Sequence, residues 1–203
     1  CFKAFTNGHA MGTNIGNGNY LLPDEGIIMS SGNTTEFCIN DEDDTTKQWN
    51  TVGDDDLDAM IYDANIPFAK TYDACVIEFE FKCEETMSNM VPEVSFEYIF
   101  ASEEYYEYVD SEYNDVFGFF LNGENIALLP DGTTEVTINN VNYHKNQQYF
   151  LGNDPSTTQG VVYPLIEADG FTTKLIAKGN PLDEWNTIKL AVADVADRIL
   201  DSY

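Results

Sequence analysis

The sequence predicts an all-β protein: an antiparallel β-sandwich or jelly-roll with long acidic loops and at most short helices. Three observations carry this expectation. Short segments alternate apolar and polar side chains, the period-two signature of strands with one buried face. Turn-forming pairs such as Asn122-Gly123 and Asp131-Gly132 separate them. No long stretch repeats its apolar residues at the helical period.

The first third is rich in loops. Residues 12–19 are turn-forming, and 26–31 read as a short buried strand. Eight acids within 39–58 mark that window as solvated loop. In 75–83, Cys75, Ile77, Phe79, Phe81 and Cys83 fall on one face, with Glu78, Glu80 and Lys82 on the other. In 94–100, Val94, Phe96, Tyr98 and Phe100 face a core. Residues 116–121 are apolar throughout, as expected of a central strand buried on both sides. Asn122-Gly123 then closes a hairpin whose return strand is 125–129. Residues 135–138, 171–177 and 185–193 are later strands, and only 54–62 and 101–113 suit short helices. No repeat, linker or composition shift divides the chain, so 1–203 reads as one sandwich domain, part of a longer secreted or surface product.

Charge is the extreme property. The 36 acidic residues against 9 basic ones give a net charge of −27, which repels phosphate backbones and excludes a nucleic-acid partner. No apolar run is long enough for direct membrane insertion by a helix. Crowded carboxylates destabilise a compact state, and a divalent cation with oxygen-only ligands relieves this; Ca²⁺ is the expected cofactor. Cys1, Cys38, Cys75 and Cys83 are even in number and lack CxxC spacing, so two disulfides in an oxidising compartment are expected. Cys75 and Cys83 bound one strand and stand about 26 Å apart at about 3.3 Å per residue. A disulfide needs Cα atoms about 4.4–6.8 Å apart, so these two do not pair with each other. If all four pair, Cys75 and Cys83 divide Cys1 and Cys38 between them. Asn33-Thr34-Thr35 fits an N-glycosylation acceptor at Asn33.

Tyr98-Ile-Phe-Ala-Ser-Glu-Glu-Tyr105 leads into Asn114-Asp-Val-Phe-Gly-Phe-Phe-Leu121. Together with Gly53-Asp-Asp-Asp-Leu-Asp58, Tyr72-Asp-Ala-Cys-Val-Ile-Glu-Phe-Glu-Phe81 and Ile188-Lys-Leu-Ala-Val-Ala-Asp194, this resembles the choice-of-anchor L domains, in the same order along the chain. The resemblance implies an extracellular or cell-surface location and no catalytic activity.

Three acidic groups are candidate metal ligands: Glu103 and Glu104 with Asp115; Asp194, Asp197 and Asp201; and Asp54, Asp56 and Asp58. The third group begins like an EF-hand loop but lacks its glycine and terminal glutamate, and a helix cap explains it equally. Tyr105, Tyr106, Tyr108 and Tyr113 crowd the first group and read as a contact surface. No catalytic residue is assigned, because neither His9 nor His144 lies in a nucleophile motif. The expected function is a Ca²⁺-stabilised structural or adhesive surface module, able to assemble into a filament or sheath. Its partners are other copies of itself or neighbouring surface proteins. A carbohydrate-binding module that contacts glycans is the alternative, and a carboxylate-dependent glycoside hydrolase a more distant one.

Overall fold

The computed structural model describes residues 2–6, 14–16, 19–20, 24–35, 46–63, 70–83, 91–154 and 167–203. Its main sheet has the order β5-β13-β8-β9, built from Thr71–Lys82 (β5), Val116–Leu121 (β8), Glu124–Asn125 (β9) and Trp185–Val195 (β13). The facing layer is made by two antiparallel chain runs. One is Val94–Tyr98 (β6) followed by Ala101–Ser102 (β7). The other is Gly170–Thr172 (β11) followed by Leu175–Gly179 (β12), with Phe150–Gly152 (β10) outside β11. Phe2–Thr6 (β1) pairs with Glu25–Met29 (β4), and Asn14–Gly16 (β2) with Asn19–Tyr20 (β3). The described strand pairs are antiparallel, as the alternation predicts.

Between the layers lie Phe100, Phe119, Val136, Ile138, Leu175 and Ile188, all buried. Strand β8 is buried along its whole length because its opposite face is also covered. There the helix Asp55–Asp63 (α1) sets Leu57, Met60 and Ile61 on Val116, Phe120, Ala191 and Val195. Asp54 caps this helix: its carboxylate accepts the amides of Asp56 and Leu57 at 3.1 and 3.2 Å. The other segment suited to a helix, 101–113, forms β7 and turns instead.

Side-chain oxygens explain where strands stop short of expectation. The 125–129 return strand shrinks to β9 because the Asn125 side chain accepts the amides of both Phe119 and Ala127. The 94–100 strand is interrupted because the Phe100 amide donates to the Thr172 hydroxyl rather than to a backbone carbonyl. Asn122 and Gly123 have φ of 53° and 83°, as the hairpin turn requires. The cysteine expectation needs correction. Cys83 is a free thiol, while Cys75 is disulfide-bonded to a partner outside the described residues. Strand β5 ends at Lys82, one residue before Cys83, and carries Cys75 into the core.

Candidate functional site: a buried carboxylate cluster

Antiparallel pairing collects acids from distant parts of the chain at one end of the sandwich. Ala193 of β13 pairs with Val116 of β8, so Asp194 and Asp115 emerge side by side. Asp194 in turn pairs with Tyr72 of β5, which places Asp73 beside it. Ser102 of β7 bridges Ser202 and so brings Glu103, Glu104 and Asp201 to the same end. None of these six carboxylates is more than 2% exposed.

Three of them are held by defined donors. Asp115 accepts the Val195 amide at 2.8 Å and the Ser202 hydroxyl at 2.7 Å. Asp201 accepts the amides of Lys47 at 2.9 Å and Asn33 at 3.3 Å. Asp73 accepts the amides of Trp49 and Thr51 at 3.0 and 2.5 Å. Glu104 and Asp194 are held less well. One oxygen of Glu104 and both of Asp194 are buried without a hydrogen-bond partner among the described residues. The Ser31 hydroxyl lies close enough to Asp194 to favour its ionised form, but not in a geometry that completes a hydrogen bond. Among the described residues, one ion pair reaches these acids: Arg198 Nε stands 3.9 Å from Asp73.

The electrostatic result is proton retention. Burial, then the charges of Asp115, Asp197 and Glu107, push Glu104 up to about 10. Burial raises Asp115 to about 8 despite its two hydrogen bonds, with Asp197 and Asp201 adding to the rise. Burial and the neighbouring Asp115 and Asp201 hold Asp194 well above the ordinary carboxylate range. A buried carboxylate without a counter-charge is costly, so near neutral pH the cluster must hold protons or a cation. Among the described residues, no three His, Cys, Asp or Glu side chains already meet as a metal-binding group.

The fold thus draws two of the three acidic groups into one cluster: Glu103, Glu104 and Asp115 join Asp194 and Asp201. Asp197 lies at the rim, half-buried, accepting the Ile199 amide at 3.0 Å. Asp54, Asp56 and Asp58 stand apart from it and have protein partners. Asp54 and Asp56 flank Lys189 Nζ at 2.6 and 2.7 Å, and Asp58 accepts the amide and hydroxyl of Thr71, both at 2.7 Å. Burial works to lower the Lys189 pKa, but the hydrogen bonds to Asp54 and Asp56 outweigh it and raise it. Asp73, Ser31 and Ser202 belong to the cluster but escaped the sequence reading. Their signal was positional: Asp73 is the third residue of the strand carrying Cys75, and Ser202 follows Asp201.

One contact-surface assignment is corrected. Tyr105 is fully buried, its ring against Phe150 and its hydroxyl donating to the Val141 carbonyl at 2.7 Å. An unbroken core position, not exposure, explains this tyrosine. Tyr106 stacks on Tyr143 at 5.1 Å, and Tyr108 meets Tyr113 edge-on at 5.2 Å, each partly exposed. The side-chain oxygen of Asn33 is engaged by the amide and hydroxyl of Thr35 at 3.2 and 2.9 Å.

The described strands define a two-layer antiparallel β-sandwich with a cluster of buried carboxylates at one end. The model of the choice-of-anchor L domain family matches residues 3–203, and the chain belongs to that family. It is a family of surface-anchor modules, not an enzyme family. No curated protein and no solved structure matches the chain significantly.

Proposed function

We propose that the protein is an extracellular structural module of the cell surface whose end cluster binds a divalent cation, Ca²⁺ by its preference for oxygen ligands. One observation carries the reading: Glu104 and Asp194 present buried, unpartnered oxygens beside Asp115. A cation would replace the protons that burial otherwise forces onto them, and a small rotation of these side chains would bring them onto it. The cluster joins β5, β8, β13, β7 and residues 201–203, so a bound ion would tie both layers together. Contacts with neighbouring surface proteins or further copies would then use the partly exposed Tyr106, Tyr108 and Tyr113. The test is thermal unfolding with Ca²⁺ and with chelator, alongside size-exclusion chromatography. At a Ca²⁺ concentration about 100 times the dissociation constant the gain is about 2.7 kcal/mol, or a melting temperature higher by about 5–10 °C. An unchanged melting temperature would overturn the cation reading, and an unchanged elution volume the assembly reading.

A further inference from the structure

Arg198 is the single arginine of the chain, and it stands at the end where the buried carboxylates gather. The turn that carries it follows β13 and is fixed on both sides. The Ala196 amide donates to the Lys70 carbonyl at 3.0 Å, and the Leu200 amide to the Thr46 hydroxyl at 2.9 Å. Between these points the guanidinium lies over the Tyr72 ring, 4.3 Å from its centroid, with the side chain 34% exposed. The ring face holds the charge in place without using its N–H donors.

The contact with Asp73 is unlike that of a structural salt bridge. An arginine that fixes a carboxylate engages it with two parallel hydrogen bonds of about 2.8 Å. Arg198 Nε stops 3.9 Å away and is buried with no hydrogen-bond partner among the described residues. Asp73 does not depend on it for a donor. Both of its oxygens already accept from the 46–52 segment, through the amides of Trp49 and Thr51 and the Thr51 hydroxyl. Arg198 therefore supplies a charge rather than a bond. That charge faces more than Asp73. Tyr72, on which it stacks, pairs with Asp194, whose two oxygens lack hydrogen-bond partners among the described residues. The lysines of the neighbouring segments are engaged elsewhere: Lys70 with Asp58, and Lys47 over the Trp49 ring.

We infer that Arg198 is a tethered counter-charge: it partly neutralises the empty carboxylate cluster, opposes the entry of a divalent cation, and so sets the affinity of the site. The inference rests on the cation reading above. The guanidinium lies on the order of 8 Å from the Asp194 position, one strand spacing beyond its contact with Asp73. At that distance, in a water-like dielectric, a unit positive charge disfavours a divalent cation about fivefold. One side chain thus stabilises the empty protein and weakens ion binding. Removal of a merely structural support would weaken both.

The test is calorimetric titration of Ca²⁺ at low salt into the native chain and four variants, with urea denaturation of each in chelator. Arg198→Gln, and Arg198→Met, which keeps the stem on Tyr72, should bind Ca²⁺ about fivefold more tightly yet unfold at lower urea concentration in chelator. Arg198→Lys keeps the charge and should stay within about twofold of the native chain. Lys178→Gln makes the same change in net charge toward the far end of β6, where Lys178 pairs with Ser95, and should leave the affinity unchanged. High salt should narrow the differences. Circular dichroism verifies the folding of each variant. Equal or weaker Ca²⁺ binding by both neutral variants, or an equal gain in Arg198→Lys or Lys178→Gln, would overturn the inference and leave the cation reading standing. No binding by any of the chains would overturn the cation reading and the inference with it.

Discussion

Raising the pH from 5 to 8 in the presence of a chelator should strip this protein of much of its stability. The reason is the carboxylates at the end of the sandwich. An ordinary aspartate loses its proton near 3.8, but Asp115 holds it to about 8 in the folded chain. Between those values the folded state binds a proton that the unfolded state has released, so stability falls as pH rises. No loss is felt below about pH 4, and the loss is complete above the folded pKa. Each pH unit within the window costs about 1.4 kcal/mol per proton, so Asp115 alone removes on the order of 4 kcal/mol between pH 5 and 8. Glu104, held to about 10, acts in the same direction and carries the decline beyond pH 8. Whole-domain stabilities are about 5–15 kcal/mol, so the effect is large. Urea denaturation at the two pH values measures it, in enough salt to screen repulsion among exposed acids. Asp115→Asn should flatten the decline, because the amide can still accept from Val195 and donate to Ser202. Ca²⁺ should stabilise more at pH 8 than at 5, because its ligands must first lose their protons. A chelated protein as stable at pH 8 as at pH 5 would refute the burial argument.

Two substitutions probe the supports of the cluster and of the helix. Gly32→Ala would place a Cβ 1.6 Å from Asp201 Oδ2, a buried carboxylate fixed by Lys47 and Asn33. A loss of about 3 kcal/mol, seen as a melting point lower by about 6–12 °C, is expected. Asp54→Ala removes the cap of α1 and one partner of Lys189, whose side chain is 13% exposed. A loss of about 1–2 kcal/mol in urea denaturation is expected.

Strand identity was legible where side chains alternated, as in β5, and where a short run was apolar throughout, as in β8. Strand ends were not, because side-chain oxygens of Asn125 and Thr172 displace backbone partners that only pairing reveals. The acids at 103–115 and 194–201 were visible as strand-end groups. Their convergence was not, since it follows from the registers of β13 with β8 and β5. Asp73 was hidden for the same reason: it lies on a strand whose neighbours were unknown. Asp54 shows the reverse case, where the local sequence offered both a cap and a ligand reading, and the structure uses its carboxylate to cap α1 and to pair with Lys189. Alternation correctly marked Phe79 and Phe96 as inward-facing. Both residues line an apolar groove between β4 and β6.

The weaving of residues 201–203 between Ala101 and Ser31 has a mechanical consequence. A pull applied through Tyr203 does not reach a frayed tail. It meets the paired backbone first, then the Ser202 hydroxyl fastened to Asp115 and the Asp201 carboxylate fastened behind Gly32. Two of these fastenings run through cluster carboxylates, so deprotonation or cation binding there would alter the resistance met along this path. Solution conditions that loosen the cluster would weaken the load path before they unfold the sandwich.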